Sequence, residues 1–201
     1  MLLGKAATTC LLALAGLSTA LPSPSNTIDK RATTSFTVYA YGDNINGQPV
    51  FYSDGNAYIG TSSPPGASVS TNVTFSTADG SSPDEAWSIA ANMTNNSNAT
   101  APFTDNAFSF YIVPTSNSFA QAGFASANDT LPTGAVTEGF IFYGKQVAYE
   151  PSETGLELKF WAAETNATDI WALYWNSDAA TVDGAFPVAL KSTPPISTGL
   201  I

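Results

Sequence analysis

Apolar and polar residues alternate in short segments along the chain from Thr34 onward, and clusters of Ser, Thr, Asn, Gly and Pro separate these segments. Alternation with a period of two is typical of β-strands that bury one face. No window carries the apolar stripe of an amphipathic helix. We therefore predict an all-β fold, an antiparallel β-sandwich of the jelly-roll type, with a β-barrel as the alternative.

The segment Val50–Ile59 is the clearest hairpin. Its Asp54-Gly55 dipeptide tolerates positive φ at both positions, as a two-residue hairpin turn requires, and apolar residues flank it on both sides. The expected cross-strand pairs are Tyr52 with Ala57, Phe51 with Tyr58 and Val50 with Ile59. The same alternation predicts strands at Thr34–Gly42, Ser68–Ser76, Ala86–Ala90, Ala107–Val113, Gly139–Tyr143, Gln146–Glu150, Gly155–Ala162, Ile170–Asn176 and Phe186–Lys191.

A second hairpin is predicted between Gly155–Ala162 and Ile170–Asn176, with its turn at Glu164–Thr168. One face would be apolar and belong to the core, with Leu156, Leu158, Phe160 and Tyr174. The other face would carry three tryptophans beside one acid and one base. Its cross-strand pairs would be Trp161 with Trp171, Lys159 with Leu173 and Glu157 with Trp175.

The first 31 residues have the features of export signals. A short basic start, Met1–Lys5, precedes an apolar run that ends at the small residues Ser18-Thr19-Ala20. Because that run is too short to span a bilayer, residues 1–20 are predicted to be a secretory signal peptide. Residues 21–31 end in Lys30-Arg31 and are predicted to be a propeptide. Residues 32–201 would form a single β-sandwich domain, secreted to the extracellular space or the cell wall.

The predicted mature chain has no cysteine, because Cys10 lies in the signal peptide. Without disulfides, its stability has to come from its core. Three lysines stand against fifteen acids, which gives residues 32–201 a net charge of −12. Such a surface repels nucleic-acid phosphates and anionic lipids, so we expect neither nucleic acid nor a membrane as a partner.

N-glycosylation is expected from the number of acceptor sequons. Six Asn-x-Ser/Thr sequons occur in this chain, and an occupied sequon has to face solvent. The six asparagines are Asn72, Asn92, Asn95, Asn98, Asn128 and Asn166.

The residue types that are missing exclude most catalytic chemistry. The chain has no histidine, so it has no imidazole base and no Ser-His-Asp arrangement. The predicted mature part also lacks the thiols that cysteine catalysis and zinc sites need. We expect no metal site and no cofactor.

Carboxylate-pair chemistry remains available. Glycoside hydrolysis needs two Asp or Glu side chains that face each other across a cleft. Glu157, beside the predicted tryptophans, is the candidate, with Glu138 or Glu150 as its partner. The alternative is that Glu157 forms a surface ion pair with Lys159 or Lys191.

The tryptophans allow two interpretations. Trp161, Trp171 and Trp175 could form a platform on which sugar rings stack, since an aromatic ring offers a large apolar face. Alternatively, they are core residues, as large aromatic side chains more often are. Trp87, in a short strand of its own, is predicted to be core.

Four segments resemble a family of small secreted proteins of ascomycete fungi: Phe36–Gly42, Pro49–Gly60, Leu173–Asn176 and Phe186–Pro195. The first strands also resemble, more loosely, fungal cell-wall proteins of the phialide-development type. The resemblance implies an extracellular β-rich protein, and it assigns no functional residue.

Together these features favour an exported fungal glycoprotein that acts by binding or by structure. One alternative is a carbohydrate-active protein, either a lectin-like binder of cell-wall or other polysaccharide or a glycoside hydrolase. Another is a secreted factor that acts on a host or a competitor.

Overall fold

The computed structural model describes residues 34–77, 82–92, 103, 108–151 and 155–196. All the regular secondary structure in these ranges consists of β-strands, so the all-β fold class is confirmed. Nothing in the described part of the chain is a helix long and apolar enough to cross a membrane. The predictions for residues 1–31 lie outside the described residues.

The strands follow each other in chain order as β1 (Thr34–Phe36), β2 (Tyr39–Gly42), β3 (Ile45–Ser53), β4 (Asn56–Gly60), β5 (Ser70–Thr77), β6 (Ser88–Ala91), β7 (Phe108–Tyr111), β8 (Phe119–Gln121), β9 (Gly123–Ser126), β10 (Phe140–Tyr143), β11 (Gln146–Tyr149), β12 (Phe160–Glu164), β13 (Ile170–Asn176), β14 (Ala185–Pro187) and β15 (Ala189–Lys191). All the pairings between these strands are antiparallel, as predicted.

Six of the strands close into a barrel. Each pairs with two others, in the cyclic order β3, β5, β6, β7, β9, β4 and back to β3. Closing a sheet removes the free edges that an open sheet exposes. This barrel corresponds to the alternative within the predicted fold class.

The barrel closes at a narrow contact between β4 and β9. Asn56 pairs with Gly123 there, and the Phe124 N–H donates to the Gly55 carbonyl at 2.8 Å. A Cβ atom at Gly123 would lie 2.6 Å from the Gly55 oxygen and 2.6 Å from the Tyr111 hydroxyl. Position 123 therefore has room for glycine alone.

Two further groups of strands continue from the barrel. On one side, β4 pairs with β13, which is followed by β12 and β14, while β8 pairs with the second half of β13. On the other side, the first half of β3 pairs with β2, which is followed by β15, β11 and β10. β3 thus belongs to both the barrel and the second group.

The Val50–Ile59 hairpin has the predicted pairs, from Val50 with Ile59 to Tyr52 with Ala57. Asp54 and Gly55 both have positive φ, of 45° and 84°, as the predicted turn requires. The Asp54 carboxylate also accepts hydrogen bonds from the N–H groups of Ser68 and Val69, both at 2.8 Å. The turn residue therefore also fixes the loop that leads into β5.

The register predicted for the second hairpin is wrong. Trp161 lies opposite Tyr174, Phe160 opposite Trp175 and Glu164 opposite Trp171. The pairing differs by three residues from the prediction. Because side chains alternate between the two faces of a strand, an odd shift places on the same face those residues that were predicted to lie on opposite faces. The connection, residues 165–169, has the predicted five residues but begins one residue later than predicted, and the Thr165 hydroxyl donates to the Ile170 carbonyl at 2.7 Å across it.

The segment before β12 also differs from the prediction. Leu156 and Leu158 are 42% and 47% exposed, so only Phe160 of the predicted apolar face is in the core. The sequence pattern also missed β8 and β9. It joined β1 with β2, and β14 with β15, into single strands, although short breaks at Thr37-Val38 and Val188 separate them.

Replacing Gly123 with alanine should open or distort the barrel closure. We expect Gly123→Ala to lower the free energy of unfolding by about 3 kcal/mol, because the new methyl group meets backbone that cannot yield easily. Urea unfolding of the variant and the wild type measures this loss: the midpoint should shift to lower urea concentration while the m-value stays the same.

Gly144→Ala is the matched control for this substitution. Gly144 has a φ of 65°, but no atom lies within 4 Å of the added methyl group. Gly144→Ala should therefore lower the free energy of unfolding by only about 1 kcal/mol, the cost of a left-handed backbone conformation. Equal losses in the two variants would contradict the steric explanation.

Candidate functional site

The outer face of the β12–β13–β8 sheet carries a row of large side chains. Trp161 on β12 lies opposite Tyr174 on β13, and Tyr174 lies opposite Gln121 on β8. Directly opposed residues of an antiparallel pair point to the same face of the sheet. In the next row, Ala163 lies opposite Ala172, so the rings stand beside small side chains.

Phe119, Trp161 and Tyr174 form a continuous aromatic surface. The rings of Phe119 and Tyr174 are stacked, with centroids 4.5 Å apart and planes 6° from parallel. Trp161 approaches Phe119 edge-on, at 6.4 Å and 89°. All three residues are half-buried, so none of them belongs to the fully buried core. We call these three residues the aromatic surface.

The predicted platform of three tryptophans does not exist. Trp175 is fully buried, and Trp171 is only 8% exposed. Trp175 packs edge-on against Phe160 at 4.9 Å, on the inner face of the hairpin. The corrected register explains the difference, because it leaves Trp161 outside and turns the other two tryptophans inward. Trp87 is buried at 1% exposure, as predicted.

Sequence reasoning missed two members of the aromatic surface. Tyr174 was predicted to be core because its strand was paired in the wrong register. Phe119 lies in β8, a strand of three residues, which is too short for its alternation to stand out. The stacking of the two rings depends on the pairing of β8 with β13, which brings together residues more than fifty positions apart.

Glu157 forms an ion pair with Lys159, at 3.2 Å between Oε2 and Nζ. This is the structural alternative that the sequence left open. Glu157 also makes two backbone hydrogen bonds with Tyr149, of 2.7 and 3.0 Å. The prediction that it lies opposite Trp175 is wrong, and its role as a catalytic residue stays a prediction.

Three carboxylates line a separate cleft of about 720 Å³. Asp84 comes from the segment before β6, Glu138 from the segment before β10 and Glu150 from the residue after β11. The structure thus brings Glu138 and Glu150 to one cleft, although Glu157 does not line it. Sequence reasoning missed Asp84, which lies in an isolated turn with no neighbouring motif.

Tyr149 forms a buried part of the cleft wall and is 8% exposed. Burial raises the pKa of its hydroxyl above the usual value of 10.0, and the negative charge of Glu157 raises the pKa further. Gly139 lies against the ring: a Cβ atom there would be 2.5 Å from Tyr149 Cε2. The close approach holds this wall of the cleft in place.

Four of the six predicted glycosylation sites lie in the described residues, and all four are exposed: Asn72, Asn92, Asn128 and Asn166. Asn166 lies in the loop between β12 and β13. The Asn92 N–H donates to the Asn72 carbonyl at 2.7 Å, so these two sequons are cross-strand neighbours. Asn95 and Asn98 lie outside the described residues.

Among the described residues, no three His, Cys, Asp or Glu side chains are arranged to hold a metal ion. The chain matches no protein-family model, no curated protein and no solved structure.

Alkaline pH should destabilise the protein through its buried tyrosines. Burial raises the pKa of Tyr52, Tyr111 and Tyr149 above 10.0. Above about pH 10 the unfolded chain loses these protons before the folded chain does. The free energy of unfolding should therefore fall as the pH rises, by up to about 1.4 kcal/mol per pH unit for each tyrosine.

The contribution of Tyr149 can be isolated by substitution. Tyr149→Phe should reduce the slope of stability against pH, measured by urea unfolding between about pH 9 and pH 11.5. Tyr143→Phe, at a position that is 63% exposed, is the control for loss of a phenol. The same reduction in both variants would contradict the assignment to burial.

Proposed function

We propose that this protein is a secreted glycoprotein that binds neutral polysaccharide, of the cell wall or another extracellular source, on its aromatic surface. The observation that carries the proposal is the outward-facing, half-buried cluster of Phe119, Trp161 and Tyr174. Pyranose rings present flat patches of C–H groups, and aromatic faces are the side-chain surfaces that match them.

The stacking within the cluster supports a binding role. Phe119 and Tyr174 restrict each other, so little side-chain entropy is lost when a ligand contacts them. Tyr174 and Trp161 each add a polar group, a hydroxyl and an indole N–H, that can bond to sugar hydroxyls. A cluster of this kind offers both apolar contact and orientation.

The charge of the molecule favours a neutral glycan over an acidic one. The predicted mature chain has a net charge of −12, which repels uronate or sulfate groups at long range. Lys159 lies just before β12, two residues from Trp161, and is already paired with Glu157. An anionic polysaccharide at this end of the surface would therefore have to compete with Glu157 for this lysine.

The predicted glycans of the protein need not cover this surface. Asn166 is five residues along the chain from Trp161, at the loop end of the hairpin. Glu164, the last residue of β12, is three residues or about 10 Å along the strand from Trp161, and Asn166 lies beyond it in the loop. A glycan on Asn166 would therefore extend from the far end of β12 and β13.

Removal of the aromatic rings should abolish binding without unfolding the protein. We expect the double variant Trp161→Ala/Tyr174→Ala to lose at least tenfold in affinity for a neutral polysaccharide, which corresponds to about 1.4 kcal/mol. A panel of neutral and acidic glycans at pH 5 identifies the ligand, and titration calorimetry measures the affinity.

Tyr143→Ala is the matched control, since Tyr143 is an exposed aromatic residue at the end of β10, a strand that pairs with none of the strands of the aromatic surface. Thermal unfolding establishes that each variant is folded. The proposal fails if no neutral glycan binds, or if the double variant binds as well as the wild type.

The same samples test the alternative of hydrolysis. If the protein binds polysaccharide without hydrolysing it, no reducing sugar should be released from any polysaccharide that binds. Release that disappears in Glu157→Gln, with binding retained, would assign the protein to the glycoside hydrolases instead.

A further inference from the structure

A small hollow opens beside Asn72 on the outer face of the barrel. Phe51 on β3 lies opposite Asn72 on β5 and opposite Tyr58 on β4. Directly opposed residues of an antiparallel pair point to the same face of the sheet. Val73, the next residue after Asn72, is buried in the core. Because successive side chains of a strand point to opposite faces, Asn72 and its two neighbours in this row face outward.

The hollow has a volume of about 120 Å³ and combines an aromatic residue with hydroxyl groups. The rings of Phe51 and Tyr58 are stacked, with centroids 5.9 Å apart, so Phe51 is held in place. All seven described residues that line the hollow are neutral: Phe51, Thr61, Ser62, Ser63, Ser70, Thr71 and Asn72. An aromatic residue beside neutral hydrogen-bonding groups suits a neutral sugar.

The hydroxyl groups of the hollow retain hydrogen-bonding capacity. Ser70 Oγ and Thr71 Oγ1 donate to the carbonyls of Tyr52 and Asn72, at 3.4 and 3.2 Å. A hydroxyl that donates one hydrogen bond can still accept others. The remaining hydroxyls belong to residues 61–63, which are exposed in the loop between β4 and β5. Sugar O–H and N–H groups can therefore donate to β5, while sugar oxygens accept from the loop.

The size of the hollow favours a tethered group over a free ligand. Sites for free small molecules usually occupy 300–1,000 Å³, and this one is smaller. Asn72 is exposed, and the sequon Asn72-Val73-Thr74 makes its amide an acceptor for an N-linked glycan. A sugar on Asn72 is attached to a residue of the hollow itself, so its effective concentration there is high and weak contacts are enough to hold it.

From these observations we infer that the hollow holds the first sugar of an N-linked glycan on Asn72, an N-acetylhexosamine, against Phe51 and residues 61–63. In the modification, Asn72 Nδ2 loses a proton and forms a bond to C1 of the sugar. The bond from C1 to the pyrophosphate of the lipid carrier breaks, and the pyrophosphate leaves with the electron pair. The bound sugar then links β3, β5 and the β4–β5 loop.

This inference rests on the glycoprotein part of the proposed function, and it does not depend on polysaccharide binding. Its test is the access of peptide-N-glycosidase, which cleaves the bond between asparagine and the first sugar, to the native full chain secreted from a fungal host. Mass spectrometry of peptides establishes which sequons carry a glycan. Release from Asn72 should be at least tenfold slower than release from Asn128, which is exposed and does not line the hollow. After denaturation the two rates should agree within about twofold.

Ser62→Ala/Ser63→Ala removes two loop hydroxyls from the hollow. It should speed the native release of glycan from Asn72 at least threefold, because the sugar loses hydrogen bonds to the loop. The matched control is Ser68→Ala/Ser116→Ala, which replaces two exposed serines that do not line the hollow. The control should leave the rate unchanged.

Thermal unfolding measures the contribution of the bound sugar to stability. In the glycosylated protein, Asn72→Gln should lower the Tm by roughly 2–4 °C, whereas Asn128→Gln should not lower it. In the full chain made in a bacterial host that attaches no N-glycan, Asn72→Gln should change the Tm by less than about 1 °C, because the asparagine is exposed.

Four results would overturn the inference: no glycan on Asn72, native release from Asn72 as fast as from Asn128, equal effects of the two serine double variants, or equal loss of Tm by Asn72→Gln with and without glycosylation. The last would mean that the asparagine side chain, and not the sugar, stabilises the fold. Glycans on other sequons but not on Asn72 would leave the proposed function standing, whereas no glycan on any sequon would contradict its glycoprotein part as well.

Discussion

Phe110 occupies the point where the barrel meets both groups of strands outside it. Within the barrel its ring contacts Phe75 on β5 and Phe124 on β9, at 5.8 and 5.5 Å. Outside the barrel it contacts Phe140 on β10 at 5.0 Å and Phe160 on β12 at 6.4 Å. The predicted mature chain has no disulfide, so such contacts have to hold the three parts together. Each aromatic pair stabilises the fold by about 0.5–1.5 kcal/mol beyond the contribution from burial of its apolar surface.

The contacts continue from Phe110 in a closed circuit. Phe140 contacts Tyr149 at 6.1 Å, Tyr149 contacts Trp175 at 5.5 Å, and Trp175 contacts Phe160 at 4.9 Å. Phe160 then returns to Phe110. The circuit includes the tyrosine of the acidic cleft and the inner residues of the hairpin that carries the aromatic surface. One part of the core therefore positions both candidate sites.

The two hairpins show which parts of this fold a single sequence can predict. Asp54-Gly55 specifies both the turn and the register, because few residues adopt its two positive φ angles, and that hairpin was predicted residue by residue. The segment Glu164–Asp169 has no comparable dipeptide: its geometry depends on the Thr165 hydroxyl and on a φ of 59° at Asp169. Without a turn signal the predicted register rested on an assumed turn at Glu164–Thr168, and an error of three residues exchanged the two faces of β13.

The candidate sites were predictable only to the extent that they are local. Trp161, Glu138 and Glu150 were identified from residue type, but the residues beside them come from distant segments. Phe119 reaches the aromatic surface through the pairing of β8 with β13. Asp84 reaches the cleft because the carbonyl of its neighbour Pro83 accepts a hydrogen bond from the Gly139 N–H at 2.6 Å.

Trp175 shows how core and surface are coupled in such a sheet. Because Trp175 and Tyr174 are adjacent on β13, burial of the indole on one face fixes the direction of the phenol on the other. The tryptophan that cannot touch a ligand thus determines where the tyrosine that can do so is presented.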